Sequence, residues 1–209
     1  MKKTNRKPWT AAAALVTAAV LSLHPAAAQK TAKEAEQPQT SPEYAKLLPG
    51  ENHKPLHPLV GKWEATLRGW GHGSPPPEFT FQQTLDTRWV MRNNWLQTDF
   101  TTKFPQVPEP FRGIVYRGYN AATENYVAIL LSDGDVRETV SKGTWDPAKK
   151  TFVFIGPEKD PVTQDTFQRK EIYTLLDADS FKYQLIYVYQ DGSESRAAEG
   201  TFTRVKDKK

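Results

Sequence analysis

The sequence predicts an all-β domain, an antiparallel up-and-down barrel of about ten strands, placed behind an export signal. Three observations predict it. From Gly61 onward apolar and polar residues alternate with period two, and no window of about eleven residues holds a helical period. Short turn sequences separate the alternating runs, which makes successive strands antiparallel neighbours. Cys is absent, so an exported domain has no disulfide to hold it and must bury its apolar surface unaided, as a chain of roughly 150 residues can.

The export signal is read from the first residues. Lys2, Lys3, Arg6 and Lys7 precede an uncharged run from Trp9 to Leu23, His24-Pro25 breaks that run, and Ala26-Ala27-Ala28 follows. This is the pattern of a cleavable signal peptide over residues 1–28, with the cut after Ala28 and Gln29 as the new N-terminus. The run is short for a span of about 20 residues and ends on a helix-breaking proline. No twin-arginine pair precedes it, and no Cys follows it to carry a lipid. The expected product is periplasmic or secreted, with no stable membrane span after signal cleavage. Residues 1–28 hold four of the 28 Lys and Arg and none of the 24 Asp and Glu, so the remainder is 24 minus 24, or neutral. The isoelectric point of about 9.1 therefore belongs largely to the signal, and no nucleic-acid partner is expected. The missing Cys also excludes thiol catalysis, disulfide exchange and cysteine metal sites.

Residues 29–52 read as a polar linker with a short helical turn, in which Ser41-Pro42 starts the turn and Pro49-Gly50 stops it. The barrel domain is placed at 53–206. Its first segment, His53 to Val60, is broken by Pro55 and Pro58 and is expected as an irregular lead-in that packs Leu56, Leu59 and Val60 onto the barrel. Strands are expected near 61–70, 78–86, 88–99, 111–119, 125–132, 135–145, 150–156, 165–176, 180–190 and 194–205. Asp133-Gly134, Asp146-Pro147, Asp177 to Ser180 and Asp191-Gly192-Ser193 supply turn chemistry between them. Phe181, Tyr183, Leu185 and Tyr187 mark an apolar face opposite Lys182 and Gln184; Phe79, Phe81 and Leu85 do the same in the second strand, and Trp89, Met91 and Trp95 in the third. Closing the meander into a barrel buries that face and removes the sheet edges. A two-sheet sandwich is the main rival. An outer-membrane barrel fits less well, because these strands carry Lys and Arg opposite the aromatics.

Gly61-Lys62-Trp63, opening the first strand after a short lead-in, resembles the lipocalins and the wider calycin group of barrels. That resemblance implies a structural role for Gly61 and Trp63, with Arg204 of the last strand lying across the Trp as a cation–π contact worth ~0.5 to 2 kcal/mol. A longer set of residues covers most of 53–205: His53-Lys54-x-Leu56, Leu59-x-Gly61-x-Trp63, Phe111-x-Gly113, Gly118-Tyr119-Asn120, Gly143-Thr144-Trp145-Asp146, and Glu199 before Thr203-Arg204. It resembles the bacterial family catalogued as domain of unknown function 1579, which implies the barrel and no particular reaction. The chain departs from that family's pattern at Asn120 and over Ile129 to Asp133.

Candidate chemistry is sparse. His53 and His57 have metal-ligand spacing, with His72 as a third candidate, but Pro55 lies between them and no acidic residue is near; packing of the lead-in is the preferred reading and no metal is expected. No His follows His72, which disfavours both a His-ligated haem and a Ser-His-Asp hydrolase, so no cofactor is expected. Seven charged residues are embedded in the expected strands: Arg88, Arg92, Arg117, Glu138, Arg169, Glu171 and Glu199. Arg88 and Glu199 fall in family-like segments and are the preferred inward pair. The expected ligand-binding set is Arg88, Trp89, Trp95, Tyr183, Tyr187, Glu199 and Phe202, lining a barrel wider than the eight-stranded size that side chains just fill. The partner this implies is a small, largely apolar molecule. An enzyme using the Arg and Glu residues, or a solid barrel serving as an envelope interaction module, are the alternatives.

Overall fold

The computed structural model describes residues 48–71, 77–160 and 164–206, with backbone alone at 135–137. The expected signal peptide, most of the expected linker and His72 lie outside the described residues. A 3₁₀ segment, Glu51–Leu59, leads into β1 (Gly61–Trp70), β2 (Glu78–Val90), β3 (Trp95–Lys103), β4 (Phe111–Asn120), β5 (Asn125–Ser132), β6 (Asp135–Asp146), β7 (Thr151–Lys159), β8 (Thr166–Leu175), β9 (Ser180–Val188) and β10 (Glu194–Arg204). Every strand pairs antiparallel with its sequence neighbours, and β1 pairs with β10, so the sheet closes as an all-β barrel. Period-two alternation sets the two faces. In β9, Phe181, Tyr183 and Leu185 are buried inside while Lys182 is exposed outside.

The 3₁₀ segment covers the end of the barrel where β1 begins, here called the floor. Leu56 and Leu59 are buried there with Trp63, Phe181 and Phe202, and burying each such side chain stabilises the fold by ~1.5 to 3 kcal/mol. Hydrogen bonds fix the segment. Trp63 Nε1 donates to the Leu59 carbonyl at 2.9 Å, and the Tyr126 hydroxyl donates to the Asn52 carbonyl at 2.8 Å. Arg204 lies 4.0 Å over the Trp63 ring and donates to the carbonyls of Val60 at 2.6 Å, Ala178 at 2.9 Å and Pro58 at 3.1 Å. Gly61 makes room for it. Its φ is +124°, and a Cβ there would stand 2.3 Å from Arg204 Nη1. The Gly-x-Trp motif and Arg204 are thus two halves of one floor joint.

Two details differ from the sequence reading. The lead-in expected to be irregular over 53–60 lies mostly in a 3₁₀ helix, Glu51–Leu59, because Pro55 and Pro58 lack only their own donors and i→i+3 bonds such as His53 N to Gly50 O at 2.9 Å form beside them. The expected strand break at residue 87 is absent; Thr87 is buried inside β2 and its hydroxyl donates to Thr98 at 3.1 Å. The hairpin turn falls instead at residues 91–94, where Met91, Arg92 and Asn93 take φ of 51°, 57° and 62°. It carries no Gly or Pro to announce it.

Candidate functional site

Above the floor the barrel encloses a cavity of about 690 Å³ that extends to the opposite end, where Ser132, Lys159 and Gln190 stand at the rim. Its two sides differ in chemistry. From β2 to β5 the wall, Arg117 apart, is uncharged and mixed, with Phe81, Leu85, Phe100, Val115 and Leu130 set among Gln83, Thr87, Thr98 and Thr102. From β8 and β9 come Arg169, Glu171, Tyr173 and Tyr183, and Arg117 of β4 reaches across to join them.

Strand phase explains this polar group. In β8, Phe167, Arg169, Glu171 and Tyr173 are all in step, so the charged pair is carried inward between two aromatics. Arg117 Nη2 donates to the Tyr173 hydroxyl at 2.5 Å and Nη1 to Thr98 Oγ1 at 3.1 Å. Glu171 Oε1 accepts from Tyr183 at 2.8 Å, Arg169 at 3.2 Å and Tyr173 at 3.3 Å. Arg169 also reaches Glu158 at 3.4 Å. The Arg117 guanidinium lies 4.7 Å from the Tyr173 ring centroid, and the Nε atoms of Arg117 and Arg169 are buried without partners. A bonded chain therefore crosses the lumen from Thr87 and Thr98 through Arg117 and Tyr173 to Glu171 and Arg169.

Charge states follow from this packing. Burial pushes the Glu171 carboxyl up, but Arg169, Arg117 and the Tyr183 hydroxyl outweigh it and hold the group below its ordinary value. Burial pushes the phenols of Tyr173 and Tyr183 well up. Arg169 stays protonated, because Glu171 and its neighbours outweigh its desolvation. The site near neutral pH thus holds fixed cations, one buried anion and neutral phenols. None of these shifts brings a group toward neutral pH.

The expected ligand-binding residues divide. Tyr183 and Phe202 line the cavity. Tyr187 has the inward phase but packs its ring on Phe167, 4.5 Å between centroids, outside the cavity lining. Trp89 also faces inward, yet it sits at the floor, where its Nε1 donates to His57 Nδ1 at 3.3 Å beside a shallow groove shared with His53. Three assignments are corrected. Arg88 is exposed on the outer wall in an ion pair with Asp99 at 2.5 Å, since it is adjacent to Trp89 and neighbours in a strand face opposite ways. Glu199 lies outside too, bonded to Arg68 at 2.6 Å and held low by that bond, because it stands an odd number of residues from the inward Phe202. Trp95 packs against Tyr116 on the outer face, for the 91–94 turn breaks the phase that would have joined it to Trp89. Arg117, Arg169 and Glu171 belonged to the wider set of embedded charges, while Tyr173 and Glu158 were missed. Phase with Phe167 was the signal that could have found Tyr173.

The histidines of the lead-in act as packing groups. Gly50 N donates to His53 Nδ1 at 3.2 Å, and burial lowers the His53 pKa against a hydrogen bond to the Asn94 backbone. Among the described residues no cluster of three or more His, Asp or Glu could hold a metal ion.

Fold and lumen together define a lipocalin-like barrel: a closed antiparallel sheet of ten strands around an amphipathic cavity. The family model described as "Protein of unknown function (DUF1579)" matches residues 48–204, and the chain belongs to that family. No curated protein matches the sequence. Among solved structures, Rv2717c from M. tuberculosis is similar at 12% identity and TM-score 0.55, over 75% of this chain and 99% of that one. The S-type phycobiliprotein lyase CPES from Guillardia theta is similar at 15% identity and TM-score 0.54, over 81% of this chain and all of its own length (100%). At these identities the likeness establishes the fold.

Proposed function

We propose that the protein is exported to the periplasm or the exterior and there holds one small molecule in the barrel. The ligand has a largely apolar body, and its polar end meets the Arg117, Tyr173, Glu171 and Arg169 group. The observation that carries this reading is the two-sided cavity of about 690 Å³, a size within the roughly 300–1,000 Å³ range of small-molecule sites. Such sites join a largely apolar lining to a few convergent polar groups, and here the charged groups Arg117, Arg169 and Glu171 converge from β4 and β8 while the rest of the β2–β5 wall is uncharged. The occurrence of the same fold in a phycobiliprotein lyase is consistent with barrels of this shape serving different ligands, and supplies none for this chain. The export half of the reading rests on the basic start, the apolar run and the Ala26-Ala27-Ala28 end of residues 1–28.

Native mass spectrometry of freshly purified protein tests the binding half. A single additional mass that denaturation releases is the expected result. Bare protein that also takes up no apolar probe on titration would overturn it. N-terminal sequencing of protein recovered from the cell envelope tests export, with Gln29 expected at or within a residue or two of the start. An intact Met1 end embedded in membrane would refute it.

A further inference from the structure

The 3₁₀ segment Glu51–Leu59 plugs the floor with the fully buried Leu56, and its two ends are tied by bonds that acid leaves intact. Tyr126 donates to the Asn52 carbonyl, and Arg204 donates to the Pro58 carbonyl. Between those ends, among the described residues, the polar side-chain ties from the segment to the barrel are made by two imidazoles. His57 Nδ1 accepts from Trp89 Nε1 of β2 at 3.3 Å. His53 bonds the Asn94 backbone beyond the end of β2, and its Nδ1 accepts from Gly50 N at 3.2 Å. An indole N–H and a peptide N–H can only donate, so both rings are neutral, with the proton on Nε2. That leaves His53 Nε2–H for the Asn94 carbonyl. The hairpin that receives these bonds is itself under constraint, since Met91, Arg92 and Asn93 all take the left-handed region that ordinary side chains disfavour. Backbone of that kind persists only where its surroundings hold it.

We infer that His53 and His57 form an acid-released latch on the barrel floor. Neutral, they clamp residues 53–57 to Trp89 and Asn94; protonated at Nδ1, each turns a donor toward the N–H from which it had accepted, and the segment detaches from the hairpin. The other charged and titratable groups at this place are Glu51 and Lys54 of the same segment, joined at 2.6 Å, Arg92 of the turn, and the phenols of Tyr119 and Tyr126 on β4 and β5. The imidazoles are the groups among these that titrate between about pH 5 and 8. Burial already disfavours the charged ring of His53 and lowers its pKa. The detached ring takes a proton more readily than the clamped one, so a fall in pH through the ordinary imidazole value of 6.5 favours detachment. The latch lies at the end of the barrel opposite the mouth and works whether or not the cavity is filled.

Hydrogen exchange of the purified protein between pH 7.5 and pH 5, corrected for the intrinsic pH dependence of exchange, tests the latch. Protection of the amides around Leu56 should fall at least about tenfold over that range, while the β9 amides keep theirs. The double substitution His53→Asn and His57→Asn keeps an acceptor near each Nδ1 position and removes the titration. Its protection around Leu56 should not change with pH. Constant protection in the unaltered protein overturns the latch, and so does an equal fall in the doubly substituted one. Where that variant fails to fold, the Trp89 indole N–H resonance of the unaltered protein decides: it should shift over the same pH range as its acceptor is lost, and an invariant resonance overturns the latch.

Discussion

Gly61→Ala perturbs the floor joint at one atom. The added Cβ would stand 2.3 Å from Arg204 Nη1, and its backbone would keep a φ of +124° that side chains disfavour. Holding a non-Gly residue in such a region costs ~1 to 3 kcal/mol. Moving Arg204 aside weakens its 2.6 Å bond to the Val60 carbonyl and its 4.0 Å seat on Trp63, contacts of ~1.5 to 3 and ~0.5 to 2 kcal/mol before discounting for the solvent at that end. Undiscounted the terms span ~3 to 8 kcal/mol, and because the two contacts are only weakened and partly solvated the expected loss is ~3 to 5 kcal/mol, or a fall in Tm of roughly 10 °C for a domain of this size. Urea denaturation with an unchanged m-value reads the loss, and a double-mutant cycle assigns it. In an Arg204→Ala background Gly61→Ala should cost only the backbone strain, leaving a coupling of about 2 kcal/mol. Costs that add to within about 0.5 kcal/mol would show that Gly61 and Arg204 are not one joint.

Three further outcomes follow from the same geometry. Trp63→Ala should destabilise by ~3 to 5 kcal/mol, measured by denaturation, and an unchanged Tm would remove Trp63 from the floor core. Glu171→Gln removes the buried carboxylate that faces Arg169 and Arg117, leaving Arg169 only Glu158, and should cost ~3 kcal/mol at pH 7. Because Glu171 is held below its ordinary 4.5, its ionised form stabilises the fold above about pH 4.5 and that contribution fades as pH falls, so the gap to Glu171→Gln should narrow in acid; a gap constant from pH 7 to pH 3 contradicts the pairing. Arg88→Ala and Glu199→Gln should each change stability by less than about 1 kcal/mol and leave probe affinity untouched, as outer-wall ion pairs do, and a lost affinity would return either residue to the lumen.

Much of the fold was legible because period two is a local property of the chain. Phe181, Tyr183 and Leu185 declared their face without knowledge of any partner strand, and the turns with Asp-Gly or Asp-Pro declared their ends. The turn at Met91–Asn94 did not, since its left-handed residues are ordinary ones, and missing it carried Trp95 to the wrong face. The site was less legible for a related reason. Arg88 and Glu199 were chosen from motif position, although Arg88 adjoins Trp89 and Glu199 is out of step with Phe202, so strand phase already opposed them. Phase favoured Arg169 and Glu171, flanked in step by Phe167 and Tyr173. That Arg117 crosses the lumen to Tyr173, 56 residues away, depends on barrel closure and has no local signature.

The central claim is that the barrel interior is a ligand site and not a packed core, and filling it tests that most directly. Leu130 lines the cavity, so Leu130→Trp adds bulk inside while sparing the outer face. Titration of an apolar fluorescent probe into the wild type should saturate at one site with energy transfer from Trp, and Leu130→Trp should weaken that binding at least about tenfold with stability kept within about 1 kcal/mol. Absence of saturable binding in the wild type, or a variant that loses ~1 to 3 kcal/mol of stability as an overfilled core does, would contradict the account.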